Sequence, residues 1–106
     1  MTGWLSKQHP LALATRFFRG QNRLMAATYT TARTVEFCHT DAAGIIHFSN
    51  FFLFMEQAEH EFLRHLGLSV VTDGPQGRIS WPRVHTSCDF QSAVRFEDEI
   101  RIEISV

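Results

Sequence analysis

The stretch from Phe48 to Leu66 constrains the fold more than any other part of this chain, because it carries a wide apolar face at helical spacing. The apolar stripe consists of Phe51, Met55, Ala58, Phe62 and Leu66, and it is widened by Phe52, Phe54 and Leu63. Residues three and four positions apart share one face of a helix. We expect Ser49 or Asn50 to cap this helix and Gly67 to end it. So wide an apolar face needs a sheet wrapped around it.

Three segments have the patterns of β-strands. Residues 28–37 are rich in β-favouring side chains, and residues 79–90 form a second long candidate strand with Pro82 near its start. From Ile100 onward, isoleucines at every second position alternate with polar residues, which is the pattern of a half-buried strand. Between these segments, residues 71–77 have the composition of a connection. The prediction is an α+β fold, in which an antiparallel sheet surrounds one long helix.

Composition narrows the class of protein. A chain of 106 residues is one domain, and a formal net charge of −1 gives no reason to expect nucleic acid as a partner. No apolar run approaches the roughly 18 residues that suggest a membrane span. Two cysteines, with no secretory signal, favour reduced thiols over a disulfide. We therefore expect a soluble, cytoplasmic protein.

The first 27 residues differ from the rest in charge. They contain no acidic residue, since Glu36 is the first in the chain, and they carry Lys7, Arg16, Arg19 and Arg23. We expect residues 1–27 to be a basic N-terminal extension, poorly packed and dispensable up to about Met25, and residues 28–106 to be the folded domain. The alternative interpretation is an amphipathic targeting segment, although a proline interrupts any helix there.

Asp41 is the candidate for chemistry, because it lies in a polar loop seven residues before Phe48, where the helix starts. A helix start has backbone N–H groups without intrahelical partners and a partial positive charge, so it can polarise a carbonyl. A carboxylate facing a carbonyl held in this way is sufficient for acyl transfer. The alternative is a loop aspartate that only bonds its own backbone. The helix has no His-x-x-x-His pair, and we expect no metal.

These residues also resemble a known family. The run from Thr40 to Ile46 (TDAAGII), the Phe-rich helix, residues 62–68 (FLRHLGL) and residues 81–90 (WPRVHTSCDF) are similar to the 4-hydroxybenzoyl-CoA thioesterase branch of the hotdog superfamily. The resemblance implies a hotdog fold and hydrolysis of an acyl-CoA thioester. Two positions depart from the family pattern: His47 stands where tyrosine is usual, and Glu97 where glycine is common in a turn.

The resemblance also implies roles for single residues. Asp41 would be the nucleophile or general base, and the backbone N–H of Phe48 would bind the thioester oxygen. His47 and Asn50 would lie near the acyl group, although Asn50 is also a candidate for shaping the loop. Glu56 and Glu59 are secondary carboxylates on the helix, where another thioesterase branch places its acid, and their shared helix face also suits a solvated surface. The phosphates of coenzyme A would need basic groups, for which Arg64, Arg83 and Arg95 are the candidates.

Coenzyme A would be part of the substrate, so no bound cofactor is expected, and the implied assembly is a homodimer or homotetramer. A hotdog sheet normally continues through two further strands, so we expect a shortened domain that leaves one edge of the last strand uncovered. The competing hypotheses are an acyl-thioester binding module without catalysis, an inactive shortened domain, and a thioesterase acting on acyl carrier protein.

Overall fold

The structure, a computed structural model, describes residues 2–5, 14–19 and 29–105. The strands are β1 (Thr2–Leu5), β2 (Ala14–Arg19), β3 (Tyr29–Thr34), β4 (Val71–Gly74), β5 (Gly77–Ser80), β6 (Thr86–Asp89) and β7 (Glu99–Ser105). The helix α1 spans Phe48–His65, and a single 3-10 turn spans Phe37–His39. Within the described part of the chain, no helix combines the length and apolarity that crossing a bilayer requires.

Five strands form one antiparallel sheet in the order β3-β7-β2-β1-β6, and β4 and β5 form a separate hairpin. The isoleucines of β7 supply its buried face, since Ile100, Ile102 and Ile104 are all fully buried. α1 packs on β7 and β3, with Phe51, Phe54, Met55, Ala58 and Phe62 buried in the same core. The predicted α+β architecture is confirmed.

α1 ends as predicted but begins differently. At its C-terminus Gly67 has a positive φ of 76°, and Leu68 N–H donates to Leu63 O over 2.8 Å, which closes the helix end. At its N-terminus the cap is His47, and the prediction of Ser49 or Asn50 is wrong. The imidazole of His47 accepts a hydrogen bond from Ser49 N–H, so the helix starts earlier than a search for small polar caps indicates.

The predicted strand over residues 79–90 is divided in two. Residues 77–80 fold back on Val71–Gly74 as the β4-β5 hairpin, and Thr86–Asp89 pairs with β1. Residues 81–85 between them are irregular, and Pro82 there has no N–H to donate to a ladder.

The two described parts of the N-terminal segment, β1 and β2, lie in the sheet, which differs from the expectation of a poorly packed leader. β2 pairs with β7 along residues Ala14–Arg19, and Phe17 is buried in the core. β7 is therefore paired on both sides, by β3 and β2, and the predicted bare edge is absent from the described residues. Residues 1, 6–13 and 20–27 of the predicted extension lie outside the described residues.

Candidate active site

The loop that carries Asp41 is a tight turn closed by backbone hydrogen bonds. Asp41 N–H donates to Ile45 O over 3.0 Å, and Gly44 N–H donates to Asp41 O over 2.9 Å. Gly44 has a φ of 76°, a conformation that glycine adopts at little cost. The turn thereby places Asp41 and Ile45 side by side, just before α1 begins.

The carboxylate of Asp41 both bonds to its own turn and lies at a cleft, so the structural and the catalytic interpretations each have support. Its Oδ1 accepts a hydrogen bond from Ala43 N–H at 2.8 Å, so it does bond its own turn. It is nevertheless exposed and lines a cleft with a volume of about 490 Å³. The turn bond fixes the carboxylate against the loop while leaving the side chain at the cleft.

The first turn of α1 leaves the backbone N–H of Phe48 without an acceptor among the described residues. Ser49 N–H donates to His47 Nδ1 at 3.3 Å, and Asn50 N–H donates to His47 O at 2.9 Å. Phe48 is itself one of the residues that line the cleft. The two residues predicted to carry the chemistry, Asp41 and Phe48, are therefore brought together.

The cleft has a second wall that the sequence analysis did not predict. Asp41, Ile45, Ile46, Phe48 and Phe51 form one side, and the segment Phe90–Val94 forms the other. Ile46 N–H donates to Val94 O at 2.7 Å, which joins the two sides at one end. The break in strand pattern after Asp89 was the available sequence signal, because a segment between two strands is where binding residues are commonly found.

The aromatic rings at the cleft contact one another. Phe90 packs on Phe51, with ring centroids 5.6 Å apart, and edge-on against Phe48 at 6.4 Å. Phe48 and Phe90 are both about half exposed, and Phe51 is buried beneath them. The cleft is consequently apolar and aromatic apart from Asp41 and the polar groups of Gln91 and Ser92.

His47 and Asn50 are held in the helix start. The His47 ring lies 2.8 Å from Ser49 Oγ and stacks on Phe48 at 4.6 Å between ring centroids. Asn50 Nδ2 donates to His39 O at 2.8 Å, which ties the helix to the loop before Asp41. Both side chains have structural partners, and their contact with substrate stays a prediction.

Glu56 and Arg83 lie away from the cleft. Glu56 is exposed on α1, whereas its neighbour Glu59, which we expected on the solvated face, is buried at 3% exposure. Arg83 Nη2 donates to Glu59 Oε2, and Glu59 Oε1 has no hydrogen-bond partner within the described ranges of the chain. Burial raises the pKa of Glu59, and the charge of Arg83 partly offsets this. A role for Glu56 or Arg83 in substrate binding stays a prediction.

The acidic and sulfur groups do not gather into a metal centre. Over residues 2–5, 14–19 and 29–105, no three His, Cys, Asp or Glu side chains lie close enough to hold an ion. The polar side chains among the described lining residues of the cleft are those of Asp41, Gln91 and Ser92, and Asp41 is the carboxylate.

A long helix against an antiparallel sheet, with a carboxylate beside the helix start, is the arrangement expected of a hotdog domain. The model of the thioesterase superfamily matches residues 43–106, and the chain therefore belongs to this superfamily. The narrower 4-hydroxybenzoyl-CoA thioesterase branch stays a prediction.

Several curated relatives are named 1,4-dihydroxy-2-naphthoyl-CoA hydrolase. One from Synechococcus sp. (strain CC9605) is 35% identical over 69% of this chain and 52% of its own length. Those from Crocosphaera subtropica and Nostoc punctiforme are 32% and 30% identical, over 72% and 73% of this chain and 56% and 52% of their own lengths. The chain thus spans about half the length of these relatives. No solved structure shows significant similarity to it.

Proposed function

We propose that this chain hydrolyses an acyl-CoA thioester to the free acid and coenzyme A. The observation that carries the proposal is that Asp41 and the start of α1 at Phe48 line the same cleft. Membership of the thioesterase superfamily supports it. So do the names of the relatives, which are CoA thioester hydrolases.

In the proposed mechanism, the thioester carbonyl oxygen accepts a hydrogen bond from Phe48 N–H. The negative charge that develops on this oxygen is stabilised by the donor and by the partial positive charge of the helix start. Asp41 then acts in one of two ways. It attacks the carbonyl carbon, expels the coenzyme A thiolate and leaves an acyl anhydride for water to hydrolyse. Alternatively, it takes a proton from the water that attacks.

The cleft favours an aromatic acyl group. Phe48, Phe51 and Phe90 offer ring faces and edges beside the carboxylate, and aromatic pairs are stabilised beyond the area they bury. The relatives' names specify a naphthoyl thioester, which is planar and aromatic. We therefore propose an aroyl-CoA as the substrate, and a thioester on acyl carrier protein would present the same pantetheine arm.

We also propose that the chain acts as a homodimer or homotetramer. Phe48 and Phe90 line the cleft, and their apolar side chains are each about half accessible to solvent. A second copy that packs there would exclude water from the acyl group.

The test is turnover of a panel containing benzoyl-CoA, 1,4-dihydroxy-2-naphthoyl-CoA, a long-chain acyl-CoA and one acyl carrier protein thioester. We expect the aroyl-CoA thioesters to be hydrolysed fastest, and Asp41→Asn to lower kcat by at least about 100-fold. Asp73→Asn is the matched control, because Asp73 is an exposed aspartate paired with Arg78 in the β4-β5 hairpin. Binding without turnover in the wild type would instead support a binding module.

A further inference from the structure

The N-terminal segment reaches the substrate cleft through a row of three aromatic rings. Phe17 of β2 is buried and packs edge-on against Phe51, with ring centroids 5.5 Å apart. Phe51 lines the cleft and packs in turn on Phe90, which lines the opposite wall. Phe17 itself does not line the cleft. It therefore lies directly behind the surface on which an acyl group would pack.

A second, independent connection comes from the backbone of β1. β6 is the last strand of the sheet in the described residues, and its pairing is with β1, from Thr2 opposite Asp89 to Leu5 opposite Thr86. The wall segment Phe90–Val94 follows β6 directly. Its far end is fixed by the Ile46 to Val94 hydrogen bond, so β1 supports the near end.

We propose that the N-terminal strands β1 and β2 are part of the acyl site and that Phe17 is a positioning residue for its aromatic wall. This inference rests on the proposed function for the identity of the ligand. Protein interiors are close-packed, so the position of Phe51 depends on the volume behind it. When the Phe17 ring is removed, Phe51 and Phe90 settle inward and the cleft loses its fit to a rigid aromatic group.

Substitution of Phe17 should weaken substrate binding and leave the rate of the chemical step unchanged. Phe17 is not among the residues that line the cleft with Asp41 and Phe48, and a lost contact of uniform strength raises KM with kcat unchanged. A missing methylene-sized contact in an apolar pocket commonly costs about 10-fold or more in discrimination. For Phe17→Leu we expect KM for an aroyl-CoA to rise by about this factor, with kcat within about 2-fold of the wild type.

Phe62→Leu is the matched control. Phe62 is also buried at the core of α1 and also contacts an aromatic ring of a strand, Tyr29, at 5.5 Å between centroids. It lies three turns along α1 from Phe51 and does not line the cleft. Phe62→Leu should lower the melting temperature as much as Phe17→Leu does, while leaving KM unchanged.

The experiment measures KM and kcat for benzoyl-CoA, together with the Kd of a thioether analogue of benzoyl-CoA. In this analogue a methylene separates the sulfur from the aryl ketone, so it cannot be hydrolysed. If Phe17→Leu fails to fold, Phe17→Met takes its place, because an unbranched side chain adapts to irregular space. The expected result is a raised Kd and KM for the Phe17 variant alone.

Each outcome decides a separate question. Unchanged Kd and KM in the Phe17 variant, or an equal rise in Phe62→Leu, overturns the inference while wild-type turnover upholds the proposed function. A wild type that binds the analogue without turning over thioesters overturns the proposed function. A raised Kd in Phe17→Leu would even then support the inference. A wild type that neither binds nor turns over contradicts both.

Discussion

The side-chain amide of Asn50 donates a hydrogen bond to the backbone carbonyl of His39 at 2.8 Å, and it thereby ties the first turn of α1 to the loop that leads into Asp41. The same carbonyl accepts from His47 N–H at 2.9 Å. The His39 carbonyl therefore connects the loop that carries Asp41 to the helix start that carries the Phe48 amide, the two groups proposed to act on a thioester.

Asn50→Ala should therefore reduce activity more than stability. Loss of one hydrogen bond costs about 1 kcal/mol of unfolding free energy, whereas misplacement of a reacting group by about 1 Å can cost ~100-fold in rate. Asn50→Asp should be worse, because a carboxylate faces the His39 carbonyl oxygen. The measurements are kcat and urea unfolding, and wild-type kcat in both variants would show that the loop is held without this bond.

Replacement of Glu97 by glycine should stabilise the protein. Glu97 has a φ of 69° in the turn before β7, where its N–H donates to Val35 O at 2.8 Å. The left-handed conformation costs a residue with a Cβ roughly 1–2 kcal/mol, and the greater freedom of glycine in the unfolded chain offsets part of the gain. We expect Glu97→Gly to raise the melting temperature by a few degrees. Glu97→Ala, which keeps the Cβ, is the control and should bring no such rise.

The buried Glu59 should make stability depend on pH. Burial raises the pKa of Glu59 above its ordinary value, so the folded state holds the proton more tightly than the unfolded state. The stability from this group is fully present below the unfolded pKa, and it is lost as pH rises through the folded pKa. Urea unfolding across the weakly acidic range should show this fall.

Arg83→Met should enlarge that pH dependence. Without the guanidinium, the buried carboxylate loses its charge partner, its pKa rises further, and we expect a loss of about 1–3 kcal/mol at pH 8. At pH 5 the loss should be smaller, because the raised pKa leaves a larger fraction of Glu59 protonated there than at pH 8. Adding Glu59→Gln to Arg83→Met should remove the pH dependence, and its persistence would mean that another group titrates.

A new cysteine can report directly on whether β1 lies beside β6. Gly3 is the register partner of Cys88, a free and partly buried cysteine. Paired residues on adjacent antiparallel strands have Cα atoms about 4.5–5.5 Å apart, within the range that a disulfide spans. Under oxidising conditions Gly3→Cys should crosslink to Cys88, with the linked peptide identified by mass spectrometry.

The control is Thr2→Cys. Thr2 pairs with Asp89, so position 2 and Cys88 lie on opposite faces of the sheet, and this variant should not crosslink to Cys88. Burial raises the pKa of the Cys88 thiol, so the crosslink should form faster as pH rises above neutral. Linkage of Gly3→Cys to the exposed Cys38 instead would contradict the pairing.

The local residue pattern was enough to predict the helix, its C-terminal end and the strand at Glu99–Ser105. The repeat of apolar residues about every 3.6 positions in a helix, or every 2 in a strand, can be read directly from the sequence. The turn at Gly44 and the approach of Asp41 to the helix start also follow from nearby residues, since few conformations join a strand to a helix over so short a loop. Residue type alone did not reveal that His47 caps the helix. That role depends on the orientation of its ring.

Tertiary structure decided the rest. Glu59 looked like a surface residue, yet it is buried and pairs with Arg83, which lies 24 positions later in the chain. The segment Phe90–Val94 forms a wall of the cleft, and Phe17 lies behind the cleft. Both positions depend on the pairing of β1 with β6 and of β2 with β7, which are about 85 residues apart in the chain. No local pattern specifies such pairings. Their free energy comes from apolar area and strand edges that come together only when the whole chain folds.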